Sequence, residues 1–334
     1  MTRMSLLAAF LIAVPAAARV HRPTGTVDVA SGPIACDGQE CYDITVSCPE
    51  VAAPAKARLK VGGTAEKGTI LFASSGFGTD LYEGQGQEKP RILNDLRTAG
   101  FQTVQLQWAE NWFGGSPGAE EGFVRLACRP ATVAQWVHDN LHTPSESTAM
   151  CATGHSGGAA QVSYMLSHYG LEDILSLVVP TGGPPMARVD LLCSADPANA
   201  AFKDVAEWAK NLMDIAFGFP PLGDRGTASS GPCARADATF TERFRLASVA
   251  SGGGDYVHPQ TLVWFAFEGI ADDSGAVAQG ELYHDLLVSE GSPLIRKDTV
   301  PGVTHAGATG LYNSREGTNL IRDILINECR PHMP

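Results

Sequence analysis

The chain is short of positive charge. Lys and Arg total 24 against 36 Asp and Glu, for a formal net charge of -12 at pH 7. Such a surface repels phosphate backbones, and no basic run or basic-aromatic interleaving offsets it, so nucleic acid is excluded as a partner. There is no C-x-x-C pair, and a zinc site is not expected. Beyond the N-terminal segment no apolar run reaches the ~20 residues that a membrane-spanning helix needs, which excludes stable membrane insertion. No internal repeat or low-complexity tract is present, which sets aside repeat architectures.

What is there is globular. The 334 residues are 44% hydrophobic and 18% charged, enough for one large domain or two modest ones. The N-terminus places Arg3 before a short apolar run from Ser5 to Val14, then Pro15 and Ala16-Ala17-Ala18. A basic start, a run too short to cross a ~30 Å hydrocarbon core, and a small-residue A-x-A site predict a secretory signal over 1–18. The expected location is secreted or periplasmic. Export changes how the eight cysteines read: Cys36, Cys41, Cys48, Cys128, Cys151, Cys193, Cys233 and Cys329 are an even set for an oxidising compartment. Disulfides are the expectation, and Cys193 is expected to pair with Cys233. Cys151, inside a buried strand, is expected either to pair or to stay a core thiol.

Residues 19–35 are polar and rich in Gly and Pro, and read as a loose arm. The segments 41–48 and 57–61 alternate as half-buried strands do. "GTILFASSGFG" (68–78) is different: a continuous apolar run ending in glycines, the mark of a strand buried on both faces. From there strand and helix alternate: 90–100 helix, 101–108 strand, 121–142 helix, 147–154 strand, 158–170 helix, 174–183 strand. That is the rhythm of a mostly parallel sheet with helices on both faces. It breaks over about 184–258, which has many prolines and glycines, no strand signal and one helical piece at 202–217. It resumes with strands at 261–269 and 294–302 and helices at 280–291 and 315–328. The organisation predicted is one α/β domain over 19–334 with an inserted cap at about 184–258.

"ATGHSGGAA" (152–160) sits at a strand-to-helix junction and contains G-x-S-x-G: Gly154, His155, Ser156, Gly157, Gly158. A sharp turn there brings the residues two before and two after the serine together, and glycine removes the clash. In this motif, placed mid-chain between strand and helix, the chain resembles the α/β-hydrolase superfamily over most of 41–329. "GHSGG" is also similar to the "GDSGG" of trypsin-like proteases, but that fold is a pair of β-barrels with the order His, Asp, Ser.

The resemblance implies a serine hydrolase with the chain order Ser, acid, His. Ser156 is the implied nucleophile and His305, on the loop "VPGVTHAGATG" after the last strand, the implied base. The acid is implied on "EGIADDSGA", which offers Glu268, Asp272 and Asp273; the family's habit of placing Asp three residues after a glycine selects Asp272 from Gly269. The oxyanion donors implied are the backbone N–H groups of Gly157 and Phe77. The family often has His-Gly-x at the latter, where this chain has Ser75-Gly76-Phe77. Trp108, Trp112 and Phe113 are candidate pocket residues. No metal or organic cofactor is implied. The reading is an esterase acting on a small or polymeric ester through an acyl-enzyme; the alternatives are an amide-cutting relative and a catalytically silent binding homologue.

Overall fold

The segments GTILFA, AMCATGH and LVVPT have every residue buried. With no side chain able to face water, these strands must lie inside a sheet covered on both faces. The computed structural model shows that arrangement. It describes residues 21–331 apart from 85, 87, 195, 197–199, 203–204, 220–229, 252 and 271–272. The segment read as a secretory signal lies outside the described residues.

Nine strands form one sheet: β1 (Thr26–Cys36), β2 (Gln39–Ser47), β3 (Ala55–Gly62), β4 (Gly68–Ala73), β5 (Phe101–Trp108), β6 (Ala149–His155), β7 (Leu177–Thr181), β8 (Leu262–Glu268) and β9 (Ile295–Val300). Their spatial order is β1-β2-β3-β5-β4-β6-β7-β8-β9. The first three pairings are antiparallel and the remaining five parallel. The helices are α1 (Glu88–Thr98), α2 (Gly122–Leu126), α3 (Cys128–Asn140), α4 (Gly157–Ser167), α5 (Val189–Leu192), α6 (Glu207–Ile215), α7 (Thr241–Ala247), α8 (Ala276–Ser289) and α9 (Arg315–Glu328).

The pleat divides the core. Along β4, Ile70 and Phe72 join one cluster with Ile92, Leu93 and Leu96 of α1 and Ile321, Ile324 and Leu325 of α9. Leu71 and Ala73 join the larger cluster on the other face, with residues of α3, α4 and α8. Alternate side chains of one strand thus serve two helical layers.

The polar arm expected at 19–35 is in fact largely strand. β1 runs antiparallel to β2 in an irregular register with bulges after Val29 and Ser31. As an edge strand with few residues out of water, it carries little of the apolar alternation by which strands are read. Between β7 and β8 the described residues contain helices α5, α6 and α7 and no strand.

Four disulfides close the chain: Cys36–Cys41, Cys48–Cys128, Cys151–Cys329 and Cys193–Cys233. The expected Cys193–Cys233 pair is present. Cys151 is not a lone core thiol; it ties β6 to the residue following α9.

Candidate active site

Ser156 stands between β6 and α4 with φ 54° and ψ −115°. A non-glycine residue at positive φ is strained, and persists only where its surroundings fix it. The glycines around it are required by close approach. A Cβ on Gly154 would fall 2.5 Å from the backbone of Gly158, and one on Gly158 would fall 2.4 Å from Ser74 O. A Cβ on Gly157 would meet Gly76 O at 2.1 Å, so the loop after β4 packs directly on the serine's neighbour.

His305 reaches this serine from the loop after β9. Its Nε2 is 3.0 Å from Ser156 Oγ and its Nδ1 is 2.6 Å from Glu268 Oε1. A carboxylate accepts only, so Nδ1 donates to it and the Nε2 lone pair faces the serine hydroxyl. Two backbone bonds align the loops: Gly269 N–H donates to Val300 O (2.9 Å) and Ile270 N–H to Val303 O (3.0 Å). The Glu268 side chain is wholly buried, and its Oε2 has no partner among the described residues.

The carboxylate on His305 is therefore Glu268, the last residue of β8, in the position expected for Asp272. Asp272 lies outside the described residues. A glutamate closing a buried strand must find a donor, because an unpaired buried carboxylate is costly; that was the signal for it in "TLVWFAFEG". Asp273 is exposed, and its carbonyl accepts from Ala206 N (2.9 Å). Asp190 is paired with Arg188 (2.7 Å).

Phe77 N–H and Gly157 N–H have no hydrogen-bond acceptor among the described residues. Gly157 is the first residue of α4, where N–H groups lack intrahelical partners. The three aromatic candidates separate. Trp108 and Trp112 are buried in the core, Trp108 donating from Nε1 to Gln161 Oε1 (3.0 Å). Phe113 stacks on Phe77 with ring centroids 5.8 Å apart and faces the cavity beside Ser156.

That cavity holds about 50 Å³ of open space between Phe77, Phe113, Pro185, Met186, Leu212 and Met213. Among the described residues no charged side chain lines it; its polar side-chain groups are the hydroxyls of Ser156 and Ser274 and the indole of Trp208. Larger concavities of about 470 to 680 Å³ lie elsewhere, and Ser156 lines none of them. Trp208, at the mouth, is exposed.

His155, beside the serine, is held by two hydrogen bonds. Its Nε2 lies 2.9 Å from His305 O and its Nδ1 3.2 Å from Thr181 Oγ1. Burial, with His305 beside it, holds its pKa well below the usual imidazole value. Neutral, it donates from Nε2 to the carbonyl, so the residue preceding the serine anchors the loop of the histidine.

A serine elbow between strand and helix, on a mostly parallel sheet with a histidine after the last strand, defines the α/β-hydrolase fold. Solved structures of that kind superpose on the chain. A hyperthermophilic esterase from the archaeon Pyrobaculum calidifontis matches with TM-score 0.52 and 16% identity, covering 86% of this chain and 82% of that one. Carboxyl esterase 2 from the mycorrhizal fungus Tuber melanosporum matches with TM-score 0.50 and 16% identity, over 86% of each. The acylaminoacyl peptidase of Pyrococcus horikoshii matches with TM-score 0.52 and 10% identity, over 89% of this chain and 42% of that one. At these identities the likeness is one of fold. No family model and no curated protein matches the chain.

Proposed function

We propose that the protein is a serine hydrolase that cleaves carboxylic esters through an acyl-enzyme. The observation that carries this reading is the hydrogen-bonded series Ser156 Oγ, His305 Nε2, His305 Nδ1, Glu268 Oε1, with links of 3.0 and 2.6 Å, built on a serine held at positive φ. The serine hydroxyl is a poor nucleophile until a base takes its proton. His305 accepts that proton as Ser156 Oγ attacks the carbonyl carbon, and Glu268 holds the ring in the right tautomer and stabilises its charged form. The tetrahedral oxyanion is held by Phe77 N–H and Gly157 N–H. Collapse expels the alcohol, which takes the proton from His305. Water, deprotonated by the same base, then releases the acid and restores Ser156.

Ester over amide is favoured by the uncharged cavity: among the described residues it offers no carboxylate to receive the ammonium of an aminoacyl substrate. The peptidase among the structural neighbours keeps the amide reading as the alternative. The residue pattern at 1–18 and four disulfides support export, and helices α5, α6 and α7 between β7 and β8 support a cap, with α6 lining the cavity beside Ser156.

The test is labelling with a fluorophosphonate. Wild type should gain one adduct on the peptide containing Ser156, and Ser156→Ala should gain none. Turnover of p-nitrophenyl acetate should fall ~10⁴-fold in that variant, as for other triad deletions. Retained turnover in folded Ser156→Ala sinks the reading. Faster cleavage of aminoacyl anilides than of esters would move the assignment to the amide alternative.

A further inference from the structure

We infer that helix α6 is a fixed gauge of acyl length and restricts the enzyme to esters of short, uncharged acids; this rests on the hydrolase reading above. The acyl group stays on Ser156 while the alcohol must leave, so the narrow, mostly apolar cavity beside Ser156 suits the acyl side. Its space of about 50 Å³ compares with ~300–1,000 Å³ for pockets that enclose drug-sized ligands. From α6, Leu212 and Met213 line the cavity, with Ala209 one turn before them and Trp208 at the mouth. A swinging lid would enlarge this space, but α6 is tied at both ends. Ala206 N–H, at its start, donates to Asp273 O (2.9 Å). At its end Ile215 O and Ala216 O accept from Gly115 N and Gly122 N, and the Asp214 carboxylate accepts from Cys233 N (2.7 Å) and Ala234 N (3.1 Å). Cys193–Cys233 anchors the same region.

A series of p-nitrophenyl esters tests it: acetate, butyrate, octanoate and laurate, with wild type and Leu212→Ala and Met213→Ala. Wild type should give its highest kcat/KM at acetate or butyrate and lose at least tenfold by octanoate. Either variant should move the optimum to a longer chain. A flat or long-chain profile in wild type, or an unmoved optimum in both folded variants, overturns the gauge while leaving the hydrolase intact. No turnover of any ester, with no fluorophosphonate adduct, removes the hydrolase reading and the gauge with it.

A separate observation concerns Tyr312, from which we infer a positioning role that also rests on the hydrolase reading: its side chain braces the oxyanion loop against the base. Its ring stacks on His155 at 4.1 Å between centroids and 21° between planes, and His155 holds the carbonyl of His305. Its hydroxyl is 2.5 Å from Ser75 Oγ, two residues before Phe77. The Lys89 amine sits 3.4 Å from the same ring's centroid. This chain lacks the histidine often found in that loop; Tyr312, reaching across from the loop after β9, supplies a support in its place.

Tyr312→Phe keeps the stack and removes the tie to Ser75. It should lower kcat at least tenfold with KM within threefold and an unchanged melting temperature, and Ser75→Ala should do the same. Because both changes break one bond, the double variant should lose little more than either alone, a coupling that two independent structural defects would not give. Unchanged kcat in both folded variants, or fully additive losses, overturns the brace.

Discussion

Glu268 has to satisfy two demands. It sits where a buried strand ends, and its carboxylate accepts a hydrogen bond from His305 Nδ1–H while staying out of water. Glu268→Gln keeps the size and removes the charge, and the amide can hold His305 in the wrong tautomer. A loss of ~10⁴ in kcat is expected, as for the corresponding change in a serine protease. Glu268→Asp shortens the reach by one methylene and should retain part of the activity. Asp272→Asn is the control, since the loop spacing that selects it is independent of the geometry at Nδ1. It should be mild; a collapse of kcat in Asp272→Asn with a near-normal Glu268→Gln would return the acid to the loop. Lys89 makes a second residue-scale prediction. Burial lowers its pKa from 10.5 to about 6. Between those values the unfolded chain binds a proton that the folded chain does not, so Lys89 makes stability rise with pH across that window. Thermal unfolding of wild type should therefore gain more between pH 7 and 9 than that of Lys89→Met. Parallel curves would contradict the buried amine.

At the scale of elements, the elbow is a packing problem solved with glycine. Gly158, in the first turn of α4, is pressed against the end of β4 and the loop after it, where a Cβ would lie 2.4 Å from Ser74 O and 2.6 Å from Ala73 O. Backbone cannot yield as a flexible side chain can. Gly158→Ala should cut both soluble yield and kcat, whereas Gly38→Ala, with open space around the new Cβ and only its positive φ against it, should leave kcat untouched. Equal behaviour of the two variants would show that the elbow tolerates more than its distances allow. The elbow was legible in the sequence because steric necessity writes itself as fixed glycines. So were the central strands, whose burial on both faces leaves continuous apolar runs. β1 was not, because an edge strand in water needs no apolar alternation. Glu268 was legible only as one of three acids: loop habit favoured Asp272, and nothing in the spacing shows that the carboxylate comes from inside the sheet. Trp108 and Trp112 followed the same limit, since an aromatic beside a site reads alike whether it faces the cavity or the core behind it.

Across the whole molecule, the disulfides divide into local and long-range staples. Cys36–Cys41 spans 5 residues and closes a hairpin that β1 and β2 already form. Cys151–Cys329 spans 178 residues and joins the strand that carries Ser156 to the end of the final helix. If a cross-link acts by restricting the unfolded chain, its worth grows with the logarithm of the loop: about 2 kcal/mol for the short link and about 5 for the long one. Paired alanine variants separate the two. Cys151→Ala with Cys329→Ala should lower the urea-unfolding free energy by roughly 3 kcal/mol more than Cys36→Ala with Cys41→Ala. The difference should appear with little change in kcat at low temperature, because neither sulfur belongs to the serine, the base or the cavity beside them. A long-range pair no more costly than the hairpin pair would mean that the sheet and its helices, and not the cross-link, hold β6 and α9 together.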